Sequence, residues 1–259
     1  MIKIFSIDTF KDQKKVLDDE LPTFIMTEEN SNEVLAIDYT HVLLIDLDYV
    51  GVNLRNVEFE AMQKGLNPKG VELNKATFTK SSMSPNYRFT IKEILTSLGK
   101  RADAIEKAVS EVKKSVNEFF ENNKELNNGI IDLIDSAKKR NVDVKFYSTM
   151  DKSSVDKLLI NLGLNNYNLD VIIPNEINDI FPKADDWLKM LKQANIEDKT
   201  IVAFVSSQLA CKGALTAGAS CVVVPDEFTE FQDFSGSKFI LDKLSDENPD
   251  LILDHTLRM

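Results

Sequence analysis

The hydrophobic positions of residues 126–225 alternate between a helical period and a strand-like run. Behind the turn signal Asn128-Gly129, "IIDLIDSAKK" has apolar residues at helical spacing, and "VDVKFYS" follows as a strand. The same alternation continues through "SSVDKLLINLGL", "DVIIP", "ADDWLKMLKQANI", "TIVAFVS", "QLACKGALTAGA" and "SCVVVP". This order of strands and helices predicts an α/β fold with a parallel sheet wound by right-handed crossovers.

The stretch ahead of this region predicts one more core strand and a helical insertion. Residues 42–45 form the apolar run Val-Leu-Leu-Ile, which is typical of a strand buried on both faces. Residues 54–125 contain amphipathic helical patterns such as "AIEKAVSEVKKSVNEFFENN" and almost no strand signal. We therefore expect a core domain made of residues 41–53 and 126–259, a helical cap domain at 54–125, and an N-terminal extension at 1–40 whose packing the pattern does not define.

Composition excludes several classes of function. The formal net charge is −11, and the basic residues are spread along the chain, so the basic stripe of a nucleic-acid-binding protein is missing. The two cysteines, Cys211 and Cys221, do not suit a disulfide scaffold and fit a reducing compartment. No apolar run is long enough to span a membrane, and the start does not resemble a signal peptide. We expect a cytoplasmic protein with no nucleic-acid or membrane partner; the sequence does not indicate its oligomeric state.

Polar side chains follow the predicted strands at the edge where parallel strands end. Ligands of open α/β sheets bind at this carboxyl edge. An alternative remains open for each residue, because a strand-end carboxylate can simply accept hydrogen bonds from loop amides, a hydroxyl can cap the next helix, and a lysine can face solvent. For the two serines at 206 and 207, helix capping is the favoured interpretation. The candidates are Asp46, Asp48, Ser148, Thr149, Lys183, Ser206 and Ser207.

Four segments in order carry a resemblance to a known family. They are "LLIDLDYV", "VKFYSTM", "FPKADDWLKML" and "IVAFVSSQLACKGALTAGASCVVVP". Over roughly residues 41–244 the chain resembles the haloacid dehalogenase superfamily, and specifically its β-phosphoglucomutase-like phosphatases with a helical cap. The resemblance implies a three-layer core with a Rossmann-type parallel sheet and an inserted α-helical cap.

The resemblance also implies a reaction and its residues. Asp46 would attack a phosphoryl group to form an aspartyl-phosphate, and Asp48 would act as the general acid and base. Ser148, Thr149 and Lys183 would hold the phosphoryl oxygens. Mg²⁺ would bind at Asp46 and Asp48 and offset the negative charges. The implied substrate is a small phosphorylated metabolite.

Two departures from the family pattern bear on catalysis. Ser206 and Ser207 stand where the family has an acidic magnesium ligand, so Ser206 could contribute only weakly to a metal site. Tyr49 stands where the family usually has glycine, and its side chain could narrow the pocket. Two functions therefore stay open: a phosphatase or phosphomutase, or a catalytically degenerate protein with a binding or regulatory role.

Two basic residues of the cap segment "TKSSMSPNYRFT" are candidates for substrate binding. Lys80 and Arg88 could hold a second anionic group of the substrate, and arginine suits bidentate contacts with oxyanions. Exposure to solvent is the alternative for both residues.

Overall fold

The computed structural model describes residues 39–102 and 105–257. Apart from Tyr39 and Thr40, the predicted N-terminal extension lies outside the described residues. The described chain from His41 onward belongs to one compact unit.

A six-stranded parallel sheet forms the centre of this unit. The strands are β1 (His41–Asp46), β2 (Asp143–Tyr147), β3 (Asp170–Ile172), β4 (Thr200–Val205), β5 (Ser220–Val223) and β6 (Phe239–Ile240). Their spatial order is β3-β2-β1-β4-β5-β6, which places β1 between β2 and β4. The predicted α/β class is confirmed, and the sequence pattern missed only the short edge strand β6 among these.

Helices follow the strands as the alternating pattern predicts. In the stretch expected to form a cap, the helices are α1 (Leu54–Leu66), α2 (Lys75–Thr79), α3 (Tyr87–Ser97) and α4 (Ile105–Asn122). Around the sheet they are α5 (Ile130–Lys139), α6 (Lys152–Asn161), α7 (Ala184–Gln193), α8 (Gln208–Thr216) and α9 (Pro249–Thr256). Among the described helices, none combines the length and the apolar character that a membrane span needs.

Both faces of the sheet are buried, because alternate residues of β1 point to opposite sides. Leu43 and Ile45 belong to an apolar cluster that includes residues of α5, α6 and α9. Val42 and Leu44 belong to a second cluster with Trp187 and other residues of α7 and α8. This arrangement of helix, sheet and helix gives the three expected layers.

The helices that follow β1 pack closely on one another. Ala108, Val112, Val116 and Phe120 lie along one face of α4 and are fully buried. At the crossing of α1 and α4, a Cβ atom on Gly65 would lie only 2.5 Å from the Cα atom of Ala108. Glycine is therefore required at this contact. The exact limits of a cap domain at residues 54 and 125 stay a prediction.

Candidate active site

A cavity of about 240 Å³ opens at the carboxyl edge of the sheet. Strand β1 ends at Asp46, and a short π-helical turn at Leu47–Gly51 follows, with Asp48 in its first part. Both carboxylates are buried and line the cavity. Tyr49, whose bulk was expected to narrow the pocket, also lines it.

Asp46 lies between two donors of the protein. Its Oδ1 accepts a hydrogen bond from the Tyr49 backbone amide at 3.1 Å, and its Oδ2 accepts one from the Tyr147 hydroxyl at 2.8 Å. Burial, followed by the nearby charge of Asp48, raises the pKa of Asp46 to about 7. The two hydrogen bonds act in the opposite direction, because they favour the ionised form. Burial beside a second carboxyl therefore makes Asp46 easier to protonate than an exposed aspartate.

Asp48 is held by the end of β2. Its Oδ1 accepts a hydrogen bond from Ser148 Oγ at 2.6 Å, and its Oδ2 accepts from the amide and the hydroxyl of Thr149, each at 2.8 Å. Burial raises the pKa of Asp48, although these hydrogen bonds lower it. Ser148 is fully buried behind Asp48 and does not line the cavity, whereas Thr149 does. The hydroxyl expected to hold a phosphoryl oxygen is thus occupied by Asp48.

Lys183 does not line this cavity, contrary to the expectation from the sequence. Lys183 is exposed and borders a separate surface depression beside α7. Lys183 is the residue immediately before α7, and its backbone amide donates a hydrogen bond to Asp186 Oδ2 at 2.9 Å. Phe181 and Pro182, two positions and one position earlier, line the cavity instead. This loop therefore presents apolar side chains where an ammonium group was expected.

The cap segment reaches the cavity through different residues from those expected. Ser81, Ser82, Met83 and Pro85 line it. Lys80 is exposed and borders another depression, next to α3. The segment singled out in the sequence borders the cavity, but Lys80 does not line it, because the sequence does not show which way each side chain points.

Arg88 also lies outside the cavity lining. It is exposed and pairs with Glu106 at 2.5 Å. An exposed pair of this kind contributes little to stability.

Arg55 was missed by the sequence-based reasoning. It lies in the first turn of α1, lines the cavity and is only 2% exposed. Its Nη1 donates to Asp226 Oδ2, and its Nη2 donates to Ser206 Oγ at 3.1 Å. Its guanidinium carbon also lies 4.1 Å from the centre of the Tyr49 ring. A guanidinium therefore contacts the position where the family resemblance implies a magnesium ligand.

Glu58 completes a buried polar cluster one turn after Arg55. Its carboxylate accepts hydrogen bonds from the Tyr49 hydroxyl at 3.1 and 3.3 Å and is also hydrogen-bonded to Tyr87. Burial raises the pKa of Glu58 to about 8, even though Arg55 lowers it. At pH 7 this carboxyl is thus mostly neutral. The charged pair at i and i+3 was the sequence signal for this cluster, because that spacing puts both residues on one helix face.

The residues around Ser206 do not fit Mg²⁺. Ser207 caps α8 by accepting from the Ala210 amide at 3.3 Å, as favoured from the sequence, whereas Ser206 accepts from Arg55. An ion about 2.1 Å from Ser206 Oγ would lie within about 5.2 Å of Arg55 Nη2, given the 3.1 Å hydrogen bond. At an effective dielectric constant of about 20, the two cations would repel each other by at least about 6 kcal/mol.

The other side chains that could act as metal ligands do not form a magnesium site either. Among the described residues, no group of three or more His, Cys, Asp or Glu side chains could hold a metal ion. The acidic group nearest to Ser206 in this network, Asp226, already pairs with Arg55. The magnesium site that the resemblance implied is therefore not supported by these side chains.

Comparison with known proteins identifies the family. A curated-protein search gives no match. Solved structures share the fold: CbbY from Rhodobacter sphaeroides in complex with phosphate has 18% identity and a TM-score of 0.60, covering 79% of this chain and 94% of that one. A β-phosphoglucomutase from Clostridium difficile has 14% identity and a TM-score of 0.68, covering 83% and 96%. A predicted phosphoglycolate phosphatase from Haemophilus somnus has 14% identity and a TM-score of 0.62, covering 80% and 96%. A family model described as haloacid dehalogenase-like hydrolase matches residues 43–224, so the chain belongs to this family.

Proposed function

We propose that this protein is a catalytically degenerate member of its family, which binds a small phosphorylated metabolite and has lost efficient turnover. The observation that carries the proposal is the fixation of Asp48 by Ser148 and Thr149. It affects both the group expected to move a proton and the hydroxyl expected to hold the phosphoryl group.

The family reaction requires Asp48 to reach the substrate. Asp46 would attack phosphorus while the bond to the leaving oxygen breaks, and that oxygen would take a proton from Asp48. Water would then release phosphate from Asp46, with Asp48 accepting its proton. To take part, Asp48 would have to give up hydrogen bonds worth roughly 1.5 to 3 kcal/mol each. Since about 1.4 kcal/mol changes a rate tenfold, losing two of them would slow the step at least a hundredfold.

The remaining site residues also favour binding without turnover. Lys183 is outside the cavity, and Phe181 takes part in its lining. Ser206 offers no charge to a metal and is bound by Arg55. The cavity itself is retained, and its volume of about 240 Å³ suits a small metabolite. Related folds are known with such ligands, including CbbY with phosphate and a mutant of CbbY with xylulose-1,5-bisphosphate.

A panel of phosphorylated metabolites tests this proposal by measuring turnover and binding separately. With Mg²⁺ present, we expect hydrolysis of an aryl phosphate, acetyl phosphate and the panel to be no faster in the native protein than in Asp46→Asn. We expect at least one panel member to bind in calorimetric titrations. Circular dichroism of both proteins controls for folding. Magnesium-dependent hydrolysis that Asp46→Asn abolishes would show that the protein is an enzyme.

The second candidate function is a phosphatase or phosphomutase working through an aspartyl-phosphate. The position of Asp46 favours it, because this carboxyl lies at the end of β1, lines the cavity and has a pKa of about 7. The ionised fraction at neutral pH retains a potential nucleophile. Product analysis in the same panel separates release of phosphate from its transfer within the substrate.

The cellular setting is part of the proposal. The acidic composition, with a net charge of −11, and the two cysteines support a cytoplasmic protein without a nucleic-acid partner. Both cysteines are buried, and they are not joined in a disulfide.

A further inference from the structure

Two polar atoms at the cavity have no hydrogen-bond partner among the described residues. They are Nε of Arg55 and Oγ of Ser82, and both are buried from solvent. Arg55 comes from the first turn of α1 and Ser82 from the segment between α2 and α3, and both residues line the same cavity. Buried polar atoms are satisfied in the great majority of cases, since leaving one unpaired is unfavourable. A ligand with acceptor oxygens would satisfy these unused donors once the two side chains turn toward the cavity, because both atoms are shielded from its space in the structure.

One cationic side chain lies in the cavity lining beside the carboxyl groups of Asp46 and Asp48. Of the described residues that line the cavity, Arg55 is the one that carries a permanent positive charge. Asp226 pairs with one of its terminal nitrogens, and Ser206 accepts from the other. The neighbouring Glu58 does not cancel this charge at pH 7, because burial keeps the carboxyl mostly protonated. The guanidinium thus keeps N–H donors for an oxyanion, although the carboxylate of Asp226 offsets part of its positive charge.

We propose that the Arg55 guanidinium has replaced the divalent cation of this cavity, so that a phosphate monoester binds directly to Arg55 and to Ser82 without magnesium. This inference rests on the proposed binding function and names its ligand contacts. The contact of Arg55 with Ser206 supports it, because the guanidinium lies against the residue that stands at the expected metal-ligand position.

The chemistry of the two partners is complementary. A guanidinium presents five N–H donors in one plane, and that arrangement matches the oxygens of a phosphate group. Helix α8 also begins at this edge, and Ser207 to Ala210 line the cavity, so the positive end of the helix dipole faces the same space. Hydrogen bonds from Tyr147 to Asp46 and from Ser148 and Thr149 to Asp48 distribute the negative charge of these carboxylates over protein donors. This reduces the repulsion that an anion meets.

Calorimetric titration with inorganic phosphate and with an aryl phosphate, in EDTA and in millimolar Mg²⁺, tests the inference. We expect the dissociation constants with and without magnesium to agree within about twofold. Arg55→Lys keeps the charge but loses the planar arrangement of donors and should weaken binding at least tenfold. Ser82→Ala should weaken it about tenfold, which corresponds to one hydrogen bond to a charged group. The matched control is Arg140→Lys, since Arg140 pairs with Asp250 and Asp254, away from the cavity lining, and should leave binding unchanged.

A second substitution keeps the test decisive if Arg55→Lys does not fold. Ser206→Asp would place a carboxylate within reach of Arg55, and we expect it to pair with the guanidinium and weaken phosphate binding at least tenfold. The inference also predicts that Ser206→Asp creates no dependence on magnesium.

The possible outcomes separate the inference from the proposed function. Binding that requires Mg²⁺, or that is unchanged in both Arg55→Lys and Ser82→Ala, would overturn the inference and leave a binding function intact. Equal competition by acetate would overturn the assignment to phosphate esters. Failure of both phosphates to bind would overturn the inference, whereas hydrolysis abolished by Asp46→Asn would overturn the proposed function alone.

Discussion

Replacing Glu58 by glutamine tests whether the polar cluster beside the cavity contains a neutral carboxyl. Glu58 is 3% exposed and accepts hydrogen bonds from the Tyr49 hydroxyl. Glutamine has nearly the same shape, can accept the same hydrogen bond and does not ionise. The substitution therefore mimics the protonated carboxyl and removes only its titration.

The magnitude follows from the difference between the folded and the unfolded state. Burial raises the pKa of Glu58 from its usual 4.5 to about 8. The folded state therefore binds this proton more tightly, so its contribution to stability is fully present below pH 4.5 and is lost as the pH rises through 8. With about 1.4 kcal/mol per pH unit, the loss between pH 5 and pH 8 amounts to about 3 to 4 kcal/mol.

Urea denaturation at several pH values measures this effect as a difference between two proteins. We expect Glu58→Gln to gain about 3 to 4 kcal/mol of unfolding free energy relative to the native protein between pH 5 and pH 8. Glu60→Gln is the matched control on the same helix, because Glu60 is exposed, and it should change stability by less than about 0.5 kcal/mol. A difference between native protein and Glu58→Gln that stays constant with pH would refute the reasoning, since Glu58 would then be ionised in the folded state.

Three further substitutions address other contacts. Tyr147→Phe removes a hydrogen bond that lowers the pKa of Asp46, so a carbon-13 titration of this carboxyl should give a pKa about one unit higher; an unchanged value would mean that the hydroxyl does not stabilise the ionised form. Gly65→Ala places a Cβ atom 2.5 Å from the Ala108 Cα atom, so urea denaturation should show a loss of about 2 to 3 kcal/mol, and a loss below about 0.5 kcal/mol would contradict the close helix crossing. Lys183→Ala should bind phosphate with an affinity within about twofold of the native protein in calorimetry, because Lys183 lies outside the cavity. A tenfold loss of affinity would show that Lys183 does contribute to phosphate binding.

The replacement of a metal by a side chain has a structural cost. Arg55 is almost fully buried, and burial by itself disfavours its charged form, so the guanidinium needs the opposite charge of Asp226 to remain there. Unlike an exchangeable ion, this cation is attached to α1. We therefore expect anion affinity to depend on the position of α1 relative to the sheet and to be insensitive to the magnesium concentration.

The sequence alone determined the architecture and the edge at which the cavity forms. The apolar run before Asp46 and the later alternation of strands and helices were sufficient because hydrophobic period is a local property of the chain. Asp46 and Asp48 lie at this edge because parallel strands present their carboxyl ends there, and their catalytic roles stay a prediction. Ser207 was also identified correctly as a cap, because capping depends on neighbouring residues alone.

Only the tertiary structure decided which side chains face the cavity. In the loop before α7, Phe181 lines it and Lys183 does not, although the two residues are only two positions apart. Arg55 reaches Ser206, 151 positions later in the chain, and no local pattern contains that contact. Periodicity shows which elements form, but the direction of a loop side chain and the pairing of a buried charge depend on groups brought together by packing. For that reason the sequence determined the place of the site, and the fold determined the charge within it.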